Sequence, residues 1–147
     1  MRETYNKKYN ILLVEDDPGD VRLITEVFKE GAIKHNVFVS PNGLEALNFL
    51  RNEGTYKETP TPDLIILDLN MPVMNGFEFL KEAKRDHLLK NIPVCVLSTS
   101  SFDKDLDEAY NLHANCYLIK PLQLNAYRHM IRTIETFWLQ MVALPRE

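Results

Sequence analysis

The chain has 147 residues, 45% of them hydrophobic and 26% charged, the size and balance of one globular domain able to bury a core without disulfides. A net charge of −4, with Lys and Arg scattered along the chain, gives no electrostatic footprint for direct DNA binding. No run approaches the roughly 20 apolar residues of a membrane span, and the polar stretch 1–10 lacks the apolar core of an export signal, so a cytoplasmic location is expected.

The first strand is expected over residues 11–14, ending in Glu15-Asp16-Asp17. Asp17-Pro18 then reads as an N-cap followed by Pro at the first helical position. Val21, Ile24 and Phe28 continue with helical period, and Gly31 stands where a left-handed C-cap belongs. A weaker strand over 37–39 leads to a helix marked by Leu44, Leu47 and Leu50. Residues 52–62, with Gly54, Pro60 and Pro62, break both patterns and are expected to form a surface loop.

The third strand, 64–67, ends in Asp68 and is followed by a helix carrying Phe77, Leu80 and Lys84 on one face. The fourth, 94–97, runs into Ser98-Thr99, with a helix on Leu106, Ala109 and Tyr110 after it. The fifth, 117–119, ends in Lys120-Pro121. From Leu124 onward Tyr127, Ile131, Ile134, Trp138 and Met141 recur at spacings of four and three, predicting one long closing helix of about 20 residues.

These apolar runs are continuous rather than alternating, as in parallel strands covered on both faces. The reading is an α/β chain, flavodoxin-like (βα)5, a doubly wound five-stranded parallel sheet with an extended C-terminal helix. One domain is expected over 1–147, with its core at about 9–134 and the helical extension at about 135–147. Cys95 and Cys116 lie far apart in apolar runs, which excludes a paired metal motif or redox CxxC, and both are expected to be buried thiols.

Ligands of such sheets bind where strand order reverses, at the carboxyl ends of the strands. There the acids after the first strand, Asp68, Ser98 and Lys120 would converge. Clustered carboxylates repel unless a cation neutralises them, and a hard divalent ion such as Mg²⁺ suits oxygen donors.

Four motifs in this order, Leu13-Val14-Glu15-Asp16-Asp17, Leu67-Asp68-Leu69-Asn70-Met71-Pro72 with Gly76, Leu97-Ser98-Thr99-Ser100 and Tyr117-Leu118-Ile119-Lys120-Pro121, resemble bacterial response-regulator receiver domains over nearly the whole chain. The resemblance implies a phosphoacceptor at Asp68 and Mg²⁺ bound by Glu15, Asp16, Asp68 and the backbone carbonyl of Asn70. It also implies catalytic support from Lys120 and Ser98, and a switch built on Ser98 and Tyr117. Asn70 and Ser100 stand where the family tunes hydrolysis of the acyl phosphate. Such a protein carries part of its own phosphotransfer and autodephosphorylation site and is not an enzyme in its own right.

The segment from Ile134 to Pro145 and the loop from Gly54 to Pro60 resemble the single-domain response regulators that serve cyanobacterial phytochromes. That similarity implies a phytochrome-type sensor histidine kinase as partner and a homodimer through the fourth and fifth helices. Tyr127, Phe137, Trp138, Met141 and Leu144 are its interface candidates, and the downstream protein is not named by any residue.

Rival readings are weaker. An aspartyl-phosphate hydrolase needs a second Asp where Asn70 stands, and a nucleotide module needs a Gly-rich turn that the chain lacks. A receiver-like docking adaptor that is never phosphorylated would not need the acids, Ser98 and Lys120 together.

Overall fold

The computed structural model describes residues 8–145. Five parallel strands, β1 (Tyr9–Val14), β2 (His35–Ser40), β3 (Leu64–Leu67), β4 (Val94–Ser98) and β5 (Cys116–Ile119), form one sheet in the order β2-β1-β3-β4-β5. Helices α1 (Pro18–Glu30), α2 (Gly43–Leu50), α3 (Gly76–Arg85), α4 (Asp103–Asn111) and α5 (Leu124–Thr136) connect and close it. The fold is the expected doubly wound α/β sheet.

Alternate strand residues feed two separate cores. Leu12, Val14, Ile65, Leu67, Val94 and Val96 face α2, α3 and α4. Ile11, Leu13, Leu64, Ile66, Cys95 and Leu97 face α1 and α5. The central strands β1, β3 and β4 are buried on both sides, which is why their sequences show no alternation.

Local signals position the helices. Asp17 caps α1 by accepting from the backbone N–H groups of Gly19 (2.8 Å) and Asp20 (3.4 Å). Asn75 and Glu78 form a reciprocal capping box at the start of α3. A Cβ on Gly76 would stand 2.5 Å from the Asp68 carbonyl oxygen, so only glycine lets α3 begin this close to the end of β3.

Several expectations need correction. Gly31 is extended (φ −72°), not left-handed; its missing side chain instead leaves room for the Glu135 carboxylate, which a Cβ there would strike. The segment after α2 is a surface loop as expected, and within it a 3₁₀ turn, Gly54–Tyr56, is tied to α2 by the Tyr56 hydroxyl donating to Glu45 (2.6 Å). The closing helix is not one regular α-helix: after Thr136 it widens into a π-helical turn, Phe137–Met141, and Val142 is extended. Spacing of apolar residues cannot reveal that change of pitch, because the widened turn still brings Leu139 into the core. Cys95 is buried as expected, but Cys116 is only half-buried, and β4 and β5 pair the two directly in register. Separation along a chain says little about neighbours in a parallel sheet.

Candidate functional site

Strand order reverses between β1 and β3, the place where a crevice opens at the strand ends. The ladder continues one rung past the strands. Glu15 N–H donates to the Ser40 carbonyl (3.0 Å), Asp68 N–H to that of Val14 (2.9 Å), and Lys120 N–H to that of Ser98 (2.7 Å). The backbones carrying the acids, the hydroxyl and the lysine are therefore fixed by the sheet itself.

Glu15, Asp16 and Asp68 each offer a carboxylate oxygen, and these atoms lie within 4.8 Å of one another. Asp16 is exposed, whereas Glu15 and Asp68 are nearly buried. The Lys120 ammonium donates to Glu15 (2.7 Å) and Asp20 (3.0 Å) and stands 3.7 Å from Asp68 Oδ1. Glu15 also accepts from the N–H groups of Asp16 (3.1 Å) and Asp17 (3.2 Å).

Burial pushes the Glu15 carboxyl up to about 7 against the pull of Lys120, and burial likewise raises Asp68. Burial alone would lower Lys120, but its bond to Glu15 and the charges of Asp68 and Glu15 outweigh that and hold it above its ordinary value. One cation is thus shared among three carboxylates, with Asp16 adding a fourth beside them. The excess of negative charge and the all-oxygen donor set fit a hard divalent cation.

At the end of β4 the buried Ser98 hydroxyl accepts from Ser100 N–H (3.1 Å). Ser100 Oγ donates to Asp105 at the start of α4 (2.5 Å), and its carbonyl accepts from the Tyr117 hydroxyl (2.9 Å). Ser98, the β4–α4 loop and Tyr117 of β5 form one connected chain of hydrogen bonds. Asn70 is exposed in the β3–α3 loop beside Asp68.

Residues 11–132 match the model of the response regulator receiver domain. The chain belongs to that family. As a receiver it is a phosphoacceptor switch of two-component signalling. It is 45% identical over 145 residues to response regulator Rcp1 of Synechocystis sp., covering 99% of both chains. The Mn²⁺-bound crystal structure of Rcp1 superposes with a TM-score of 0.90 at 46% identity, over 94% of this chain and 99% of that one. The phosphorylated cyanobacterial phytochrome response regulator RcpA gives 0.92 at 44% identity, over 95% and 100%.

Glu15, Asp16, Asp68, Ser98 and Lys120 thus meet at one end of this receiver's sheet. Sequence reasoning missed Asp20. It takes the second bond from Lys120 and accepts from the Tyr127 hydroxyl (2.8 Å), and only helical periodicity counted from Asp17 would have turned it toward the crevice. Two interface candidates do not present themselves to solvent. Tyr127 is buried with its hydroxyl on Asp20, and Leu144 folds back into the core shared by α1 and α5. Phe137 and Met141 are exposed at 47% and 71%, and Trp138 is half-buried. Among the described residues no helix is long and apolar enough to cross a membrane.

Proposed function

We propose that Asp68 is the phosphoacceptor, taking its phosphoryl group from a sensor histidine kinase of the phytochrome type. The observation that carries this reading is the shared ammonium of Lys120, 3.7 Å from Asp68 and flanked by the acids Glu15 and Asp16. An Asp68 oxygen attacks phosphorus, the P–N bond of a phosphohistidine breaks, and the imidazole leaves with its electron pair and takes up a proton. Lys120 is already charged and poised to meet the new oxyanions without reorganising solvent.

Mg²⁺ is the expected resident ion, and Glu15, Asp16, Asp68 and the Asn70 carbonyl would hold it. When bound it supplies positive charge that offsets repulsion between the acids and the incoming phosphoryl group. The same residues assist attack of water on the acyl phosphate, and Asn70 and Ser100 tune its rate.

Signalling follows from the bonds of Ser98. When its hydroxyl turns to donate to a phosphoryl oxygen, the bond from Ser100 N–H is strained or lost, and Ser100 is the residue whose carbonyl holds Tyr117. Phosphorylation then shifts the population of loop and ring positions at the β4–α4–β5 face. The exposed Phe137, beside β5, and the exposed Met141 one turn further on support a homodimer through α4 and α5.

Intact mass after incubation with acetyl phosphate and Mg²⁺ tests the reading. One phosphoryl adduct is expected in the wild type and none in Asp68→Asn or with EDTA. Absence of an adduct from both acetyl phosphate and a phosphorylated kinase would overturn it. Sedimentation velocity checks the dimer, and a monomer at high concentration would assign the apolar residues of 137–141 to this chain's own packing.

A further inference from the structure

Cys95 of β4 and Cys116 of β5 stand directly opposite each other as register partners. Parallel neighbours lie ~4.8 Å apart, inside the ~4.4–6.8 Å range of Cα separations that a disulfide spans. Both side chains are on the α1/α5 face of the sheet, where Cys116 packs against the core that contains Cys95. Their access to solvent differs. Cys95 is fully buried, while Cys116 is half-buried and forms part of the wall of an apolar cavity of about 600 Å³ between β5 and α5. Leu118, Met130, Ile134, Phe137 and Trp138 form most of its apolar wall, with His129 and Thr133 among the other lining residues.

We propose that Cys95 and Cys116 form a reversible thiol–disulfide pair, in which Cys116 meets a peroxide entering through the cavity and Cys95 resolves the product. The Cys116 thiolate attacks one oxygen of hydrogen peroxide, the O–O bond breaks, and the departing hydroxide takes up a proton as water. Cys116 is now a sulfenic acid. The Cys95 sulfur attacks it, the S–O bond breaks, and hydroxide leaves and becomes water with the Cys95 proton. Two thiols are oxidised, one peroxide is reduced to water, and a disulfide remains.

Electrostatics divides the roles in the same sense. The proximity of the two sulfurs holds the Cys95 thiol up and the Cys116 thiol down; burial opposes the lowering of Cys116, and the neighbouring Trp138 indole N–H adds to it. The bridge would be strained. Side chains on parallel neighbours stand about one strand spacing apart, ~4.8 Å, whereas disulfide Cβ atoms average ~3.8 Å. Such a bond is readily reduced. The strain falls on the two strands that carry Ser98 and lead into Lys120.

The test is intact mass of the reduced protein under a hydrogen peroxide titration, diluted to monomer because the cavity adjoins the face proposed to pair. Wild type is expected to lose the mass of two hydrogens and regain it with dithiothreitol. Cys95→Ala is expected to stop at a sulfenic acid that dimedone traps on Cys116, and Cys116→Ala to leave Cys95 unmodified. Cys116→Ser, with circular dichroism on every variant, guards against a folding defect. Irreversible oxygen adducts without loss of hydrogens would overturn the proposal. So would equal peroxide consumption by wild type and both Cys116 variants, or no mass change in the folded protein where the urea-unfolded chain does bridge.

Discussion

Val73 holds a branched side chain in the left-handed backbone region, at φ 68°, immediately after the Met71-Pro72 turn that follows Asp68. For a β-branched residue that conformation costs roughly 1–2 kcal/mol, and Val73 is 76% exposed, so little packing offsets it. Val73→Asn is expected to stabilise the fold by about 0.5–1 kcal/mol, seen as a higher urea midpoint; a lower midpoint would show that the side chain packs on the loop. Glu135 is strained electrostatically instead. It is 4% exposed, its Oε2 has no hydrogen-bond partner among the described residues, and His35 Nδ1, 3.8 Å away, is already bonded to the Ile33 carbonyl. Burial pushes its carboxyl above the ordinary 4.5, with His35 and Arg132 opposing. A raised folded value means that the fold prefers the protonated acid: no penalty exists below pH 4.5, and stability falls as pH rises through the folded value. Glu135→Gln is therefore expected to melt higher than wild type at neutral pH, with the gap closing in acid. A gap of constant size across that range would trace the effect to packing.

Among the elements, α1 and α5 are joined through the site. The Tyr127 hydroxyl of α5 donates to Asp20 of α1, and Asp20 in turn accepts from Lys120 at the end of β5. Tyr127→Phe removes one donor and leaves Asp20 on Lys120 alone. A loss of about 1 kcal/mol is expected in chemical denaturation, together with a changed rate of acyl-phosphate formation at Asp68. An unchanged rate would confine the bond to structure. By contrast α4 is lightly held: Ala109 is its only buried residue, and its N-cap Phe102 makes no side-chain cap bond. Its sequence was legible as a helix through Leu106 and Ala109, but this looseness was not, because periodicity marks which face turns inward and not how deeply it sinks. The same limit explains Tyr127 and Leu144. Both sit at apolar-periodic or tail positions that read equally well as surface, and only the α1 contact and the fold-back after Met141 bury them.

At the scale of the whole molecule, strand identity, order of elements and the convergence of Glu15, Asp16, Asp68, Ser98 and Lys120 were legible, because each site residue directly ends or follows an apolar run. What stayed hidden depends on register across strands or on contacts between distant helices: the Cys95–Cys116 pairing, the place of Asp20, the reason for Gly31. The doubly covered sheet keeps the two cores apart, with Phe79 wholly within one and Phe28 and Ile131 within the other. The two faces should therefore behave as separate thermodynamic accounts. Phe28→Leu and Phe79→Leu are expected to destabilise additively to within about 0.5 kcal/mol, while Phe28→Leu with Ile131→Val should depart from additivity by more than that. A double-mutant cycle in urea reads both pairs. Equal coupling in the two cycles would mean that the sheet passes strain straight through, and that packing changes beside α5 are felt beside α3.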